Sequence, residues 1–447
     1  MKRKKISMPV NSRYFNNSIW LLMYRLITAF MHLLFNVVIA RLYHGEVFGT
    51  INYTLSIVSI LGVFTALGLE SILIDEFSKN QKEKETILTT SLMLRAGVSL
   101  ITILLVFVFF AFCAPIDSFS EHILKIQVWM LFAQSFEVVN SWLISESKSK
   151  VNVRNTAVSQ FICSIFQILA LVFWNSIEWY VALTVVQTLG IGILNLLYFN
   201  KNKTLKYKWD FAAAKNLLNR SYHLILTNFT IVLYTQLDKI MIEGFTSRVE
   251  VANYSVAVSL CNIWGFIPLA FANSYAPKIF ILKKEKPRQE YESALIRLWS
   301  MVFGMSIMFA GIMFVFSQLI VLMLYGSEYE KAIPLLRILS ISNFFAVLGS
   351  VRGSTWIIAE NKQKYSKYYC VFGTVLNILL NYLLIPHIGG TGAAIATLST
   401  EIMVAVIAPL FFSETRKFVV LLLKSFHNIP GMTRELFLQV TRRIKHE

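Results

Sequence analysis

The sequence predicts an all-α polytopic membrane protein: twelve transmembrane helices in two six-helix lobes related by a pseudo-two-fold axis along the membrane normal. Three observations lead there. Residues of the set AVILMFWYC fill 56% of the 447 positions, only 15% are charged, and the mean hydropathy is +0.59; a soluble chain keeps about 25% charged residues to wet its surface. The apolar residues gather in runs of about 20, the length of helix that crosses a hydrocarbon core about 30 Å thick. The basic excess, 42 Lys and Arg against 25 Asp and Glu for a net charge of +17, collects on alternate connections, as it does when cytoplasmic loops hold the positive charge. A soluble enzyme is excluded, and nucleic acid is not needed to explain the charge.

The runs are, in the first half, Asn17–Leu42, Thr50–Leu69, Thr89–Cys113, His122–Ser145, Thr156–Trp174 and Trp179–Phe199. The second half supplies Ser221–Ile242, Val251–Tyr275, Ala294–Leu324, Ala332–Ala359, Tyr368–Leu384 and Thr391–Phe412. The opening Lys2-Arg3-Lys4-Lys5 precedes a long apolar run with no small-residue cleavage site, which reads as a retained helix. With both termini placed in the cytoplasm, the arm, the even-numbered connections and the tail hold every Lys and Arg except Arg25, Arg41, Arg95, Lys125, Lys239, Arg248, Lys331, Arg337 and Arg352. A wrong span count would scramble that alternation.

Duplication shows at the ends of spans four and ten, which read Ser141-Trp142-Leu143-Ile144-Ser145-Glu146-Ser147-Lys148 and Thr355-Trp356-Ile357-Ile358-Ala359-Glu360-Asn361-Lys362. Two copies of six spans insert in the same direction, which implies a cleft between lobes. A shared helix-end cap would give the same similarity without duplication. The domains expected are an N-terminal lobe over 1–199, a cytoplasmic linker over 200–217 and a C-terminal lobe over 218–413. A basic tail over 414–447 follows, and its amphipathic stretch Thr433–Lys445 is expected on the anionic inner membrane surface.

No catalytic, cofactor or metal pattern emerges. Cys113, Cys163, Cys261 and Cys370 are far apart in apolar runs, the seven histidines are scattered, and Gly389-Gly390-Thr391-Gly392 enters an apolar helix with no βαβ unit around it. The informative residues are ionisable groups inside spans, each costing about 2.5–3.5 kcal/mol in hydrocarbon. Arg25, Arg95 and Arg352 fall in spans one, three and ten, about 10–12 Å from the inner surface at ~1.5 Å per residue. Guanidinium groups at one depth would line a central cavity suited to a phosphate-bearing anion. The plainer reading is structural pairing, with Glu137 the obvious partner; Glu137 is also a candidate for ion coupling. Arg41, Asp238 and Lys239 lie toward the outer face as a candidate gate of ion pairs, or as ordinary snorkelling helix ends.

The stretch Ala40-Arg41-Leu42-Tyr43-His44-Gly45-Glu46-Val47-Phe48-Gly49 resembles the opening motif of bacterial polysaccharide (O-antigen type) flippases, with Tyr43-His44 departing from it. Leu237-Asp238-Lys239, Asn253-Tyr254-Ser255-Val256-Ala257, Ala276-Pro277, Leu324-Tyr325-Gly326 and Ile385-Pro386 extend the likeness from about residue 17 to 412. The resemblance implies membership of the multidrug/oligosaccharidyl-lipid/polysaccharide exporter superfamily. It implies a non-enzymatic flippase of the bacterial inner membrane that moves an undecaprenyl-diphosphate-linked oligosaccharide outward by alternating access. Anionic membrane lipid and other polysaccharide assembly proteins are the expected partners. Of the candidate residues, only Arg41 and Asp238 fall in its motifs. A drug or cation exporter of the superfamily is the alternative, with a membrane-embedded glycosyltransferase or polymerase behind it; the latter sits poorly with the short outer connection Ala114–Glu121.

Overall fold

The computed structural model describes residues 12–79, 83–113, 117–202 and 209–429, the side chains of 12–19, 21, 22, 24 and 25 excepted. Among the described residues all regular structure is helical. The N-terminal arm, the core of the linker and the stretch Thr433–Lys445 therefore lie outside the described residues. So does the Arg25 side chain, although its backbone is helical.

In chain order the helices are α1 (Ser12–Ala66), α2 (Glu70–Lys79), α3 (Lys84–Phe112), α4 (Ser118–Gln127), α5 (Trp129–Ala133), α6 (Val138–Ser145), α7 (Ser149–Val172) and α8 (Ile177–Asn202). There follow α9 (Phe211–Phe245), α10 (Arg248–Glu285), α11 (Arg288–Val315), α12 (Ser317–Leu324), α13 (Ala332–Val351), α14 (Gln363–Ile402), α15 (Ala408–Phe411) and α16 (416–429). Eight stretches among the described residues are long and apolar enough to cross a membrane.

Two of those stretches are interrupted. In α1 His44 adopts φ 62° and ψ 175°, and in α14 Ile388 and Gly389 leave helical geometry, Gly389 at φ 57°. Gly389 suits its place because a residue without Cβ adopts positive φ freely. Span four is broken differently: α4, α5, a 3-10 turn over Gln134–Glu137 and α6 divide it.

Packing divides the described chain into one unit of residues up to 32 and 54–232, and a second of 33–53 and 233–429. These borders fall inside α1 and α9, not in the expected linker over 200–217. Residues 33–53 join the second unit through close backbone packing. A Cβ on Gly49 would stand 2.0 Å from the Arg248 carbonyl oxygen, and the Tyr329 hydroxyl donates to the Ala40 carbonyl at 3.1 Å. Gly49→Ala must push α1 and α10 apart and is expected to cost about 1–3 kcal/mol, read as a lower melting temperature in detergent.

In the first unit Leu73 and Phe77 of α2, Leu88 of α3, Leu143 of α6 and Phe199 of α8 gather around the buried Trp142, whose ring meets Phe199 edge-on at 4.7 Å. Asn195 bridges α8 to α7, donating to Asn152 at 2.7 Å and accepting from Asn155 at 2.9 Å. Such inter-helix amide bonds satisfy polar groups that lipid cannot. The second unit centres on Trp299, Phe303, Leu348 and Trp356.

Phe418, Leu421 and Leu422 of α16 belong to that second core. The segment after Phe412, expected as a peripheral tail, is thus an integral helix as far as residue 429, because its apolar face fills the groove beside α11.

The repeated motif forms the same cap twice. Ser147 and Asn361 take positive φ of 55° and 54°. Lys148 N–H donates to the Leu143 carbonyl and Lys362 N–H to the Ile357 carbonyl, both at 2.8 Å. Glu146 pairs with Lys84, and Glu360 pairs with Lys283.

Candidate functional site

The most polar constellation of the second unit is built around Asp238 on α9. Its carboxylate is buried, with 2% exposure. Oδ1 accepts from Asn381 Nδ2 at 2.6 Å, while Oδ2 accepts from the Tyr254 hydroxyl at 2.5 Å and from Thr397 Oγ1 at 2.9 Å. Asn381 also donates to Asn377 Oδ1 at 3.0 Å.

The fold explains the convergence. Asn381 and Thr397 are sixteen residues apart on α14, about 24 Å along a straight helix. The break at Ile388 and Gly389 folds the helix back so that both reach one carboxylate. One turn away on both α9 and α14, the Tyr234 hydroxyl donates to Glu401 Oε1 at 2.5 Å.

Three donors on one desolvated carboxylate offset much of its burial cost. Asn381 Oδ1, Asn377 Nδ2 and Thr400 Oγ1 nevertheless remain buried without a partner among the described residues. One carboxylate ringed by amide and hydroxyl oxygens is a hard donor set, suited to a proton or a small alkali cation and not to a soft transition metal. Among the described residues no group of three or more His, Cys, Asp and Glu could hold a metal ion.

Of the residues read from the sequence, Arg95 lies on α3 in the first unit, 5% exposed, with Nη2 3.5 Å from Glu137 Oε2. Glu137 leaves the 3-10 turn with 61% of its side chain exposed, and Arg95 Nε has no partner among the described residues. The structural pairing of Arg95 with Glu137 is therefore formed, though at a long distance.

Arg352 departs from expectation. It is 4% exposed and donates from Nη1 to the carbonyls of Val404 and Ala405 at 2.9 and 3.1 Å. Its guanidinium centre sits 4.6 Å from the Tyr369 ring and 5.3 Å from that of Phe418. Both partner segments are π turns, Arg352–Ile357 and Met403–Ile407, and a π turn displaces carbonyls from ordinary helix pairing. Arg352 is an internal strut of the second unit and does not line a watery wall.

The expected outer gate is corrected as well. Arg41 donates to the carbonyls of Leu324 and Met323 at 2.7 and 2.5 Å, which caps the end of α12 as basic residues do at helix C-termini. It does not pair with Asp238, whose partners are the neutral groups above. Lys239, next in sequence, is half-buried. Sequence reasoning missed Tyr254, Asn377, Asn381, Thr397 and Glu401. Glu401 inside span twelve, and the pair Asn377 and Asn381 one turn apart in an apolar run, were the available signals.

The model of the family described as polysaccharide biosynthesis protein matches residues 15–280. The chain belongs to this family. A second model, MatE, matches residues 224–383. Within the polysaccharide biosynthesis family the chain is similar to the capsular polysaccharide biosynthesis protein CapF of Staphylococcus aureus. The two are 22% identical over 87% of this chain and 96% of that protein. It is 27% identical to the probable low-salt glycan biosynthesis flippase Agl15 of Haloferax volcanii, over 44% of this chain and 42% of that one. Among solved structures it shares the fold of the lipid II flippase MurJ, with a TM-score of 0.72 at 14% identity over 95% of this chain and 93% of that one. These matches bear out the resemblance carried by the motifs. The chain is a multi-pass membrane transporter of the polysaccharide and multidrug exporter superfamily.

Proposed function

We propose that the chain moves a polyprenyl-diphosphate-linked oligosaccharide from the cytoplasmic to the outer leaflet by alternating access, for surface polysaccharide biosynthesis. The observation that carries this reading is the family match over 15–280, supported by similarity to CapF along nearly all of that protein. Twelve spans in two six-helix copies belong to the same proposal. The interrupted stretches 26–79 and 363–411 each hold two passages, the broken α4–α6 run supplies one, and the polar α9 supplies another. The duplicated cap supports the repeat.

In this reading Arg95 and Arg25 receive the diphosphate. A bidentate phosphate ligand outcompetes a carboxylate held at 3.5 Å, so substrate would draw Arg95 away from Glu137. Glu137 then becomes free to take a proton. The Asp238 cluster serves as the main ion site that powers the cycle.

Depletion of the protein is expected to accumulate lipid-linked oligosaccharide on the cytoplasmic leaflet, scored by leaflet-resolved labelling. Re-expression restores export, and Arg95→Ala restores it about ten-fold less well, the value of one charge-assisted contact. Accumulation on the outer leaflet instead would point to a polymerase and overturn the proposal. The buried carboxylates Asp238 and Glu401 also favour a second reading, export of an organic cation. Depletion that sensitises cells to cationic dyes while glycan export continues would select it.

A further inference from the structure

A second polar site lies at the basic end of the second unit, away from Asp238. Two adjoining cavities of 580 and 670 Å³ share Ser293 and Arg297 of α11. The larger is also lined by Lys278 of α10, and the smaller by Lys424 and His427 of α16. Among the described residues none of the three cations Lys278, Arg297 and Lys424 is in an ion pair, and Glu290 is the single carboxylate lining either cavity.

The packing register puts these cations at one level. Lys417 pairs with Glu292, Ser300 Oγ donates to the Ser425 carbonyl at 2.8 Å, and Phe303 stacks on Phe426 at 5.3 Å. Helix α16 thus climbs beside α11 in the same direction, with Lys424 level with residue 299. Helix α10 descends antiparallel into the short link before Arg288. Measured from that link, Lys278, Arg297 and Lys424 all stand about 10–16 Å along the helix axes.

That level has a physical meaning. Helix α10 has 38 residues, about 57 Å of length against a hydrocarbon core of about 30 Å. Shared between its ends, the excess is about 13 Å, so the three cations fall at the boundary of headgroup and acyl chain. Apolar surface accompanies them: Leu423 is 64% exposed and Tyr275 40% exposed, both lining the cavities, with Met301 one turn deeper than Arg297. A ring of unpaired cations above an apolar groove has the shape and polarity of one phospholipid.

We propose that this cleft binds the phosphate of an anionic lipid, whose acyl chain lies along α11 and α16, and that the lipid commonly present there is an anionic phospholipid of the inner leaflet. The proposal does not depend on the transport substrate. Its chemistry would also accept the phosphate of a polyprenyl carrier, and the test separates the two sources.

Full-length protein in neutral detergent is titrated with phosphatidylglycerol, phosphatidylethanolamine or undecaprenyl phosphate and read by native mass spectrometry. The wild type is expected to retain one phosphatidylglycerol tightly and to discriminate against phosphatidylethanolamine. Arg297→Ala, Lys424→Ala and Lys278→Ala, all at exposed positions, each weaken that binding about five-fold, whereas Lys364→Ala on another connection leaves it unchanged. Displacement of phosphatidylglycerol by equimolar undecaprenyl phosphate supports the same site with the carrier as its source. Equal retention of phosphatidylethanolamine, or unaltered phosphatidylglycerol binding in both Lys278→Ala and an Arg297→Ala/Lys424→Ala double variant, overturns it.

Discussion

Asp238→Asn is expected to lower export about 100-fold, the upper end of a typical coupling between two sites, while the protein still folds and inserts. The substitution keeps the shape of the side chain and removes only its charge. Its carboxylate now accepts from Asn381, Tyr254 and Thr397. Both hydroxyls can rotate to suit an amide, and Asn381 Oδ1, which lacks a partner, is at hand to accept from the new NH₂ group. The structural penalty should therefore stay near about 1 kcal/mol, a small change in melting temperature.

What cannot be replaced is the negative charge that a proton or alkali cation would neutralise. If sodium is the ion, the wild type should melt higher in sodium than in choline salts, since a ligand that binds only the folded state stabilises it. Asp238→Asn should abolish the difference. Export at the wild-type rate by a stably inserted Asp238→Asn protein would remove the cluster from the mechanism.

The spans and their breaks are legible in the sequence because they depend on local composition. The gap between the runs ending at Leu42 and starting at Thr50 contains the His44 break, and that between Leu384 and Thr391 contains Gly389. The 3-10 interruption at Gln134–Glu137 is less visible, since the run around it stays apolar throughout. The site resisted reading for a different reason. Asp238 stood out as an ionisable group, but its partners lie 16, 143 and 159 residues away, and only the folded-back α14 brings them together. Likewise α16 carries Lys417 and Lys424 among its apolar residues and so resembles a surface helix. It is buried because α11 offers Trp299 and Phe303 to its opposite face.

Arg352 shows how a single buried charge misleads, and Arg352→Ala tests its corrected role. In a span a guanidinium needs compensation, and the sequence cannot say whether water, a ligand phosphate or the protein's own carbonyls supply it. Here the carbonyls of Val404 and Ala405 and the faces of Tyr369 and Phe418 do so. Truncation would strip two displaced carbonyls of their donor, remove two cation–π contacts and leave a cavity between π turns. A loss of about 3 kcal/mol is expected, seen as a marked fall in melting temperature and in the amount of folded protein. Arg352→Lys should recover only part of it, because an ammonium lacks the planar fork that spans two carbonyls on neighbouring residues. If Arg352→Ala instead melts like the wild type but fails in leaflet-resolved export, the residue meets substrate after all, and the diphosphate site must be extended to the second unit.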